Sequence, residues 1–416
     1  MNKSPSVGFI YLQPFKESLG TTQALLNISS VLSQFGIVCH IFTPFEESRK
    51  LQNNTYVHKI KGVPLNNLVY KITRNLSQKR ILFKVFFSRD GTDILSRPLM
   101  RSLQRYIEHK KLKLSLLEGE QEPGCILAAK VAERLGIPSI GVLHNLIPEE
   151  LADLGMISRL DALYSEARGL VHEAIKSVDV ALTITSFMRD YLIKRYKVPA
   201  YKLVSLPLFL AKRPNTSVLQ TKVKALDQNV LRVIYCGSLA PHENVELFLY
   251  AIHEVLKKIE PQRISPLKIQ FFISGRGALE CELRRLAKSL NTPLKFLWLR
   301  SRTEYERFLA HMHIGTITWR PCISRRIGLP MKLLDYLASG LAVISTDVGG
   351  WSELIPSWNV GYITSQLLND FASVMLKLIR DRLTLTQFMK NTLSISGKLY
   401  NNKTRLYQIY KKFIDG

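Results

Sequence analysis

The chain has 416 residues, 46% of them hydrophobic, and a formal net charge of +25 at pH 7. This length suits two or three α/β domains, and the hydrophobic content excludes a largely disordered chain. The five cysteines are scattered without a Cys-x-x-Cys pair, which is typical of a reduced, cytoplasmic protein and excludes a disulfide or zinc framework. We expect no signal peptide and no membrane span, because the apolar runs are too short. The positive charge predicts an anionic partner: a membrane surface, a nucleic acid or a phosphorylated substrate.

The chain opens with a strand, a helix and a second strand. Residues 7–12 form an apolar run, and apolar positions at helical spacing follow a loop that carries Gly20. Gly36 ends that helix, and residues 37–42 are again apolar and rich in β-branched side chains. The order β-α-β predicts the start of a doubly wound parallel sheet.

Residues 49–113 form a strongly basic segment, with 16 Lys and Arg against three acidic residues and a net charge of +13. Part of it interleaves bases with aromatic side chains, and the residues most suited to contact a membrane are Lys79, Arg80, Phe83, Lys84, Phe86 and Phe87. Such a segment can lie in a lipid interface with its bases on anionic headgroups. The alternative is an ordinary helix with one buried face and one solvated basic face. No nucleic-acid-binding motif accompanies the charge, so we expect no nucleic acid partner.

The α/β order then resumes. Residues 114–117 predict a strand, and Glu118, Glu120 and Glu122 follow it. Two readings of these glutamates are open: a solvated acidic loop, which we favour, or alternate side chains aimed at an acceptor hydroxyl. A helix over 124–135 and a strand over 139–143 come next, and His144 stands at the end of that strand.

A polar stretch over 211–229 predicts a linker, after which a second α/β unit begins. Strands are expected over 231–236 and 269–274, with Gly237 and Ser238 after the first and Gly275-Arg276-Gly277 after the second. His311 and His313 have the spacing of two metal ligands, but no third ligand is near them in the sequence, so we expect no metal. Residues 404–414 predict a final helix.

The most informative segment is 328–340. Gly328, Leu329 and Pro330 precede an apolar helical pattern that Gly340 ends, with Pro330 expected at the first helical position. A helix that opens from a glycine loop presents free amides and a partial positive charge, so it is suited to bind phosphate. Asp335 lies further along this helix, where its carboxylate could accept ribose hydroxyls.

These residues resemble the sugar-donor-binding segment of GT-B glycosyltransferases, family 4 in particular. Residues 129–145 and 177–192 are similar to that family as well, and the sequence Leu-Pro-Met-Lys at 329–332 resembles that of the chitobiosyldiphosphodolichol β-mannosyltransferases. The resemblance implies an α/β fold of two Rossmann-like doubly wound domains that face each other across a cleft, with a C-terminal helix that crosses back. The expected limits are 1–210 for an acceptor-binding domain, 211–229 for the linker, 230–395 for a nucleotide-sugar-binding domain and 396–416 for the crossover helix.

The resemblance also assigns roles to single residues. It places His144 against the transferred sugar as the catalytic candidate, Gly20 under the donor phosphate or sugar, and Glu353 at the sugar or as a helix cap. It places the nucleotide-sugar against Gly237, Ser238, Arg276, Gly328, Leu329, Lys332 and Asp335. No cofactor is expected beyond a UDP- or GDP-linked sugar.

Three positions depart from the family pattern. The family has an arginine after the glycine of the first loop and a lysine six residues after that glycine, where this chain has Ser238 and Glu243; Ile327 replaces a glutamate. Each lost charge-assisted bond to the diphosphate costs on the order of 1.5–3 kcal/mol. Either Lys332, with Arg325 or Arg326, neutralises the diphosphate instead, or the protein no longer transfers sugar and binds a partner or a membrane.

The function expected from the sequence is therefore transfer of a hexosyl group from a nucleotide-sugar to a hydroxyl. The basic segment points to a lipid-linked acceptor at the cytoplasmic membrane face, with the enzyme peripheral to that membrane. The base and the sugar of the donor, the acceptor and the stereochemistry are left open.

Overall fold

The computed structural model describes residues 4–13, 15, 20–51, 53–61, 89–259, 268–299 and 301–415, with side chains 89–96 left aside. The six residues expected to contact a membrane, Lys79, Arg80, Phe83, Lys84, Phe86 and Phe87, lie outside this description. The chain divides into two units, 1–211 with 402–416 and 212–401. In the described ranges, no helix is both long and apolar enough to cross a bilayer.

The first unit is built on a sheet with the strand order β3-β4-β2-β1-β5-β6-β7-β8, parallel except for the β3–β4 pair. Strands β1, β5 and β6 are wholly buried, as expected for parallel strands covered on both faces. Its elements are β1 Ser6–Ile10, α1 Gly20–Gln34, β2 Val38–Thr43, β3 Arg49–Lys50, β4 Thr55–Lys59, α2 Arg89–His109, β5 Leu116–Glu120, α3 Gln121–Leu135, β6 Ser139–Leu143, α4 Ile147–Asp153, α5 Ala162–Ser177, β7 Val180–Thr183, α6 Ser186–Tyr196 and β8 Leu203–Ser205.

The second unit has a parallel sheet with the order β11-β10-β9-β12-β13-β14. Its elements are α7 Val218–Asp227, β9 Val230–Cys236, α8 Val245–Ile259, β10 Lys268–Ser274, α9 Glu280–Ser289, β11 Leu294–Leu297, α10 Arg302–Leu309, β12 Ile314–Ile317, α11 Ile323–Ile327, α12 Met331–Ala338, β13 Ala342–Thr346, α13 Leu354–Ser357, β14 Gly361–Thr364, α14 Leu368–Arg380 and α15 Arg382–Asn401. The helix α16, Lys403–Ile414, belongs to the first unit.

The strand orders locate the ligand-binding edges. In each sheet the order reverses beside the first strand of the unit: between β1 and β5 in the first, and between β9 and β12 in the second. Doubly wound sheets bind ligands outside the carboxyl ends of the strands at such a switch point. Ligands are therefore expected beside the residues that follow β1, β5, β9 and β12.

The return of the chain to the first unit is confirmed. Leu406 and Tyr410 of α16 are fully buried in the core of that unit, and the ring of Tyr407 stacks on Phe35 at 4.3 Å. Asn402 donates a hydrogen bond to the carbonyl of Leu208 at 2.8 Å just before the helix begins. Apolar burial and this bond hold the last helix on the first unit.

Three local expectations were wrong. The segment expected to be a linker over 211–229 contains α7, which buries Val218, Lys222 and Leu226. Strand β5 runs through the positions of Glu118 and Glu120, which were expected after its end. Pro330 is the N-cap of α12, one residue before the first helical position, with extended backbone at φ −73° and ψ 117°. The first two errors share a cause, because polar side chains were read as loop where tertiary partners bury them.

Candidate functional site

Loop 237–239 and loop 275–277 pack backbone against backbone in the second unit. The amide of Gly237 donates to the carbonyl of Ser274 at 2.9 Å, and the amide of Leu239 donates to the carbonyl of Arg276 at 2.9 Å. A Cβ at Gly275 would lie 1.8 Å from the carbonyl oxygen of Gly237, so only glycine fits there. The glycines after β10 thus have a packing role. Ser238 is exposed, and the exposed Arg276 carries its guanidinium 4.5 Å from the ring centre of Trp298.

Gly237 marks the point where α12 approaches β9. Its φ is +139°, and a Cβ there would lie 2.6 Å from Nζ of Lys332. Any larger residue would collide with that lysine and would be strained by the positive φ. The sequence predicted that Gly237 and Lys332 belong to one site, and the structure brings them into contact.

A buried ion pair lies at this point. Nζ of Lys332 is 2.5 Å from Oε2 of Glu243, and the two side chains are 8% and 7% exposed. The same oxygen accepts hydrogen bonds at 2.8 Å from the hydroxyl of Tyr235 and from Nε1 of Trp319. The ammonium also lies 4.3 Å from the ring centre of Tyr235, a favourable cation–π geometry. The carboxylate that replaces the family's lysine is therefore matched by a lysine from another element.

The ionisation of Glu243 follows from these contacts. Burial on its own raises the pKa of this carboxyl, but the charge of Lys332, a hydrogen bond from His242 and the charge of Arg325 outweigh it. The net result is a pKa well below the ordinary value. Glu243 is thus ionised at neutral pH, and much of the positive charge of Lys332 is offset inside the protein.

Two arginines precede α12. The guanidinium of Arg325 lies 4.5 Å from the ring centre of Trp319, and its Nε is buried with no hydrogen-bond acceptor in the described part of the chain. Arg326 is exposed, and its Nε donates to the carbonyl of Val348 at 3.4 Å. Arg325 therefore contributes positive charge beside the ion pair.

The start of α12 is the segment expected to bind an anion, and this role stays a prediction. Gly328 is buried, and a Cβ there would lie 2.9 Å from the carbonyl of Ser324. Leu329 is half-buried. The first amides of any helix lack intrahelical acceptors, so the segment from Leu329 into α12 presents a partial positive charge next to Arg325.

Asp335 has partners that the sequence did not reveal. Its Oδ1 accepts from Nη2 of Arg302 at 2.6 Å, and its Oδ2 accepts from the hydroxyl of Tyr305 at 3.2 Å. The carboxylate is 13% exposed, and Nε of Arg302 also donates to Glu306 at 2.7 Å. Arg302 and Tyr305 lie on α10 without a recognisable motif, so only the tertiary structure brings them to Asp335.

Glu353 stands in a short 3-10 turn, Gly350–Glu353, after β13. Its side chain is exposed and makes no capping hydrogen bond to the helix that follows. The expectation of a helix cap was therefore wrong, and contact with a sugar stays a prediction. The glycines before it, Gly349 and Gly350, have φ of +71° and +61°, which shape this turn.

The first unit carries a second cluster at the carboxyl ends of β1, β5 and β6. His144, 7% exposed, follows β6, and its Nε2 is 2.5 Å from Oε2 of Glu120. Glu118 and Glu120 are buried in β5, and Glu122 is buried in the first turn of α3. The solvated acidic loop was thus wrong, since all three carboxyl groups are at most 1% exposed.

Gly20 is the first residue of α1 and is exposed. The two threonines after it, Thr21 and Thr22, bond the hydroxyl of Tyr11 at 3.0 and 2.9 Å. This start of a helix at the end of β1 lies at the switch point of the first sheet. The role assigned to Gly20 stays a prediction.

Within the described residues, no set of three His, Cys, Asp or Glu is arranged to hold a metal ion. His313 is buried and serves the backbone: its Nδ1 accepts from the amide of Arg232 at 3.0 Å, and its Nε2 donates to the carbonyl of Lys222 at 3.1 Å. Burial lowers the pKa of His313 to about 3, so the ring is neutral.

Residues 231–381 match the family model described as glycosyl transferases group 1. The match lies within the second unit and covers most of it. The match spans β9 through α14 and includes the ion pair of Glu243 with Lys332 and the start of α12. The resemblance that the 328–340 motif suggested is confirmed at the level of the family.

Solved structures show the fold of both units. The glycosyltransferase WaaG, involved in lipopolysaccharide biosynthesis, is similar with a TM-score of 0.66 at 14% identity, over 97% of this chain and 99% of its own. HepE of Anabaena, solved with UDP and glucose, is similar with a TM-score of 0.68 at 13% identity, over 99% of both chains. The fold is therefore GT-B, with two Rossmann-like parallel-sheet domains.

A curated relative is similar over part of the chain. The chitobiosyldiphosphodolichol β-mannosyltransferase of Debaryomyces hansenii is 27% identical over 205 residues, which is 45% of this chain and 42% of that protein. The match thus covers less than half of the relative's length.

Proposed function

We propose that this protein is a hexosyltransferase that moves a sugar from a UDP- or GDP-linked donor to a hydroxyl acceptor. The observation that carries the proposal is the cluster of Gly237, Lys332 and Arg325 at the switch point of the second sheet, beside the start of α12. A switch point next to a helix N-terminus and cationic side chains suits a diphosphate. The family match of this unit supports the same chemistry.

In this proposal the diphosphate lies on the amides from Leu329 into α12, with Arg325 as its cation. The bond between the sugar C1 and the phosphate oxygen breaks, and the charge that develops on the diphosphate is stabilised by these groups. Lys332 stays paired with Glu243 and shapes the loop under the phosphates. Asp335, held by Arg302 and Tyr305, accepts the ribose hydroxyls.

The proposed acceptor is lipid-linked, at the inner face of a membrane. Helix α2 exposes Arg97, Arg101 and Arg105 at four-residue steps, and three exposed lysines follow it, Lys110, Lys111 and Lys113. Bases on one face of a helix bind anionic headgroups at about 1 kcal/mol each. Two similar proteins, a chitobiosyldiphosphodolichol β-mannosyltransferase and a glycosyltransferase involved in lipopolysaccharide biosynthesis, support a lipid-linked acceptor.

The nucleotide part of the proposal is tested by calorimetric titration of the wild type with UDP, GDP and their hexose conjugates. We expect one nucleotide to bind selectively, and Arg325→Gln to weaken its binding roughly tenfold, because one charge-assisted bond is lost. Lys377→Ala is the matched control, since Lys377 is an exposed lysine 4.8 Å from a tyrosine ring on another part of the unit. This control should bind like the wild type.

The membrane part is tested by co-sedimentation with phosphatidylcholine vesicles that contain phosphatidylglycerol. Changing Arg97, Arg101 and Arg105 together to Gln should weaken binding roughly 100-fold, from about 1 kcal/mol per base. The control changes three exposed bases of α9 to Gln, namely Arg284, Arg285 and Lys288. Equal losses in the two variants would contradict a binding face on α2.

The second candidate function is a non-catalytic GT-B protein that binds a partner or a membrane. Glu243 favours it, because a carboxylate at the position of the family's lysine offsets Lys332 and lowers the attraction for a diphosphate. A folded wild type that binds none of the nucleotides or conjugates would decide for this candidate.

A further inference from the structure

We propose that Lys222 is a positioning residue for the donor site: it holds the C-terminus of α12 and thereby sets the affinity of the opposite end of that helix for the nucleotide diphosphate. The inference rests on the proposed function, in which the diphosphate lies on the first amides of α12. It deepens that function by assigning a residue remote from the nucleotide. Lys222 lies outside residues 231–381, which match the family model.

Lys222 is a buried lysine on α7. It is 1% exposed, and its Nζ donates to the carbonyls of Ser339 and Gly340 at 2.7 and 3.2 Å. These two residues directly follow the last helical residue of α12. Burial lowers the pKa of Lys222 well below its ordinary value, and no carboxylate in the described part of the chain counters this shift. In those ranges the amine is therefore bound by the end of α12 and not by an opposite charge.

The backbone of Lys222 is fixed as well. Its carbonyl accepts from Nε2 of His313 at 3.1 Å, and Nδ1 of the same ring accepts from the amide of Arg232 at 3.0 Å. His313 directly precedes β12, and Arg232 is in β9. The neutral imidazole thus ties α7 to the two central strands of the sheet, so the amine of Lys222 extends from a fixed backbone.

A second helix, α15, holds the same end of α12. Oγ of Ser396 shares its proton between the carbonyls of Leu337 at 2.5 Å and Thr392 at 2.9 Å. Oγ1 of Thr392 shares its proton between the carbonyls of Leu341 at 3.0 Å and Phe388 at 2.7 Å. Both side chains are fully buried. Side chains from α7 and α15, the first and last helices of the second unit, therefore converge on the C-terminus of α12.

The end of α12 does not need Lys222 in order to terminate. Gly340, with φ +68°, donates its amide to the carbonyl of Leu337 at 3.0 Å, and the amide of Leu341 donates to the carbonyl of Tyr336 at 3.0 Å. The backbone itself thus makes the usual closure of a helix that ends at a glycine. A buried amine without a counter-charge costs stability. Its presence at a helix end that is already closed indicates a role other than ending the helix.

Tyr336 fixes α12 at a point between its two ends. Its hydroxyl accepts from the amide of Cys236 at 2.9 Å and donates to the carbonyl of Thr316 at 3.2 Å, at the switch point between β9 and β12. The helix has eight residues and is about 12 Å long. Release of its C-terminus leaves α12 free to turn about Tyr336, which displaces its first amides from the diphosphate. Misplacement of interacting groups by about 1 Å costs up to about 100-fold.

The test compares Lys222→Met with the wild type by calorimetric titration of UDP and GDP, at a temperature at which both proteins are folded. Methionine keeps most of the volume and the apolar stem of the side chain but removes the amine. We expect the affinity for the nucleotide that the wild type binds to fall roughly tenfold. Ser396→Ala removes a hydroxyl from the same helix end and should weaken the same affinity by a smaller factor.

The matched control is Lys202→Met. Lys202 is a half-buried lysine of the first unit, and its Nζ donates to the carbonyls of Val178 and Lys176 at 2.7 and 3.3 Å, at the C-terminus of α5. This variant loses the same kind of contact from a helix that bears no proposed ligand site. It should bind the nucleotide like the wild type, while thermal melting records the stability that each variant loses.

The outcomes separate a positioning role from a purely structural one. A lower melting temperature of Lys222→Met with unchanged nucleotide affinity would overturn the positioning role and leave the proposed function intact, as would an equal loss of affinity in Lys202→Met. If Lys222→Met does not fold, unchanged affinity in Ser396→Ala overturns the inference. A wild type that binds neither UDP nor GDP would overturn the inference together with the proposed function.

Discussion

The two buried carboxylate clusters, Glu243 in the second unit and Glu118 with Glu120 in the first, differ in their neighbours. Glu243 meets an ammonium at 2.5 Å, and its pKa is held well below the ordinary value despite burial. Glu118 meets another carboxyl group, and its pKa is raised well above that value. Burial acts on both in the same direction, so the sign is decided by the charge placed next to each. The protein uses one carboxylate to neutralise a cation and the other pair to hold a proton.

The largest effect is expected from separating the ion pair. Lys332→Met leaves Glu243 buried without its counter-charge, which should lower the free energy of unfolding by about 3–5 kcal/mol. Glu243→Gln should cost a similar amount, because the ammonium is then unpaired. Urea denaturation of the full chain measures both losses.

The double variant Glu243→Gln with Lys332→Met is the control for this prediction. Because the pair is removed whole, its loss should be well below the sum of the two single losses. Additive losses would mean that the two side chains stabilise the unit independently, which would contradict the pairing of Glu243 with Lys332.

The next effect concerns pH. Burial raises the pKa of Glu122, next to the carboxylate pair, to about 7 from 4.5. A carboxyl group whose pKa is raised by folding contributes stability at pH values below its pKa in the unfolded chain. This contribution is lost as the pH rises through its pKa in the folded chain, here between about pH 4.5 and 7. The loss is about 3 kcal/mol. Glu122→Gln should remove this decline, which urea denaturation at pH 5 and pH 8 would show.

The ionisation of Glu243 changes the stability with pH in the opposite direction. Its depressed pKa contributes stability that is present above the unfolded value and is lost as pH falls through the folded value. Glu243→Gln should therefore flatten the acid side of the stability curve and leave the range from pH 5 to 8 unchanged in shape. If Glu122→Gln and Glu243→Gln changed the same side of the stability–pH curve, the raised pKa of Glu122 and the lowered pKa of Glu243 would be wrong.

The smallest effect on the free energy of unfolding is expected from two matched substitutions, Tyr235→Phe and Tyr410→Phe. Tyr235 donates to the ionised Glu243 and Tyr410 to the protonated Glu118, and both tyrosines are fully buried. A hydrogen bond to a charged acceptor contributes about 1.5–3 kcal/mol, and one to a neutral acceptor about 0.5–1.5 kcal/mol. Tyr235→Phe should thus destabilise more than Tyr410→Phe in the same urea assay. The reverse order would contradict the proton on Glu118.

The periodic part of the fold was predictable from the sequence. The apolar strands over 139–143 and 231–236 appear as β6 and β9 within one residue. Gly340 ends α12 with φ +68°, as a glycine after an apolar helical pattern predicts. These features depend on the spacing of apolar residues and on backbone freedom at single positions, and both can be read from residues that are close together in the sequence.

The candidate site was predictable only as a set of positions. Gly237 and Lys332 were expected in one site and are in contact, while Arg302, Tyr305 and Trp319 were not anticipated. Their side chains come from α10 and from the end of β12, tens of residues from their partners. No spacing rule connects such positions.

By itself the sequence determined the two α/β units, the resemblance of the second to glycosyl transferases group 1 and the helix that opens after Gly328, since these follow from periodicity and from a contiguous motif. The tertiary structure alone decided that Glu243 pairs with Lys332, that Arg302 holds Asp335, that Glu120 pairs with His144 and that Tyr410 bonds Glu118. The physical reason is that the ionisation of a buried group depends on the few charges and hydrogen-bond partners within a few ångströms of it. Folding brings those partners together from distant parts of the chain.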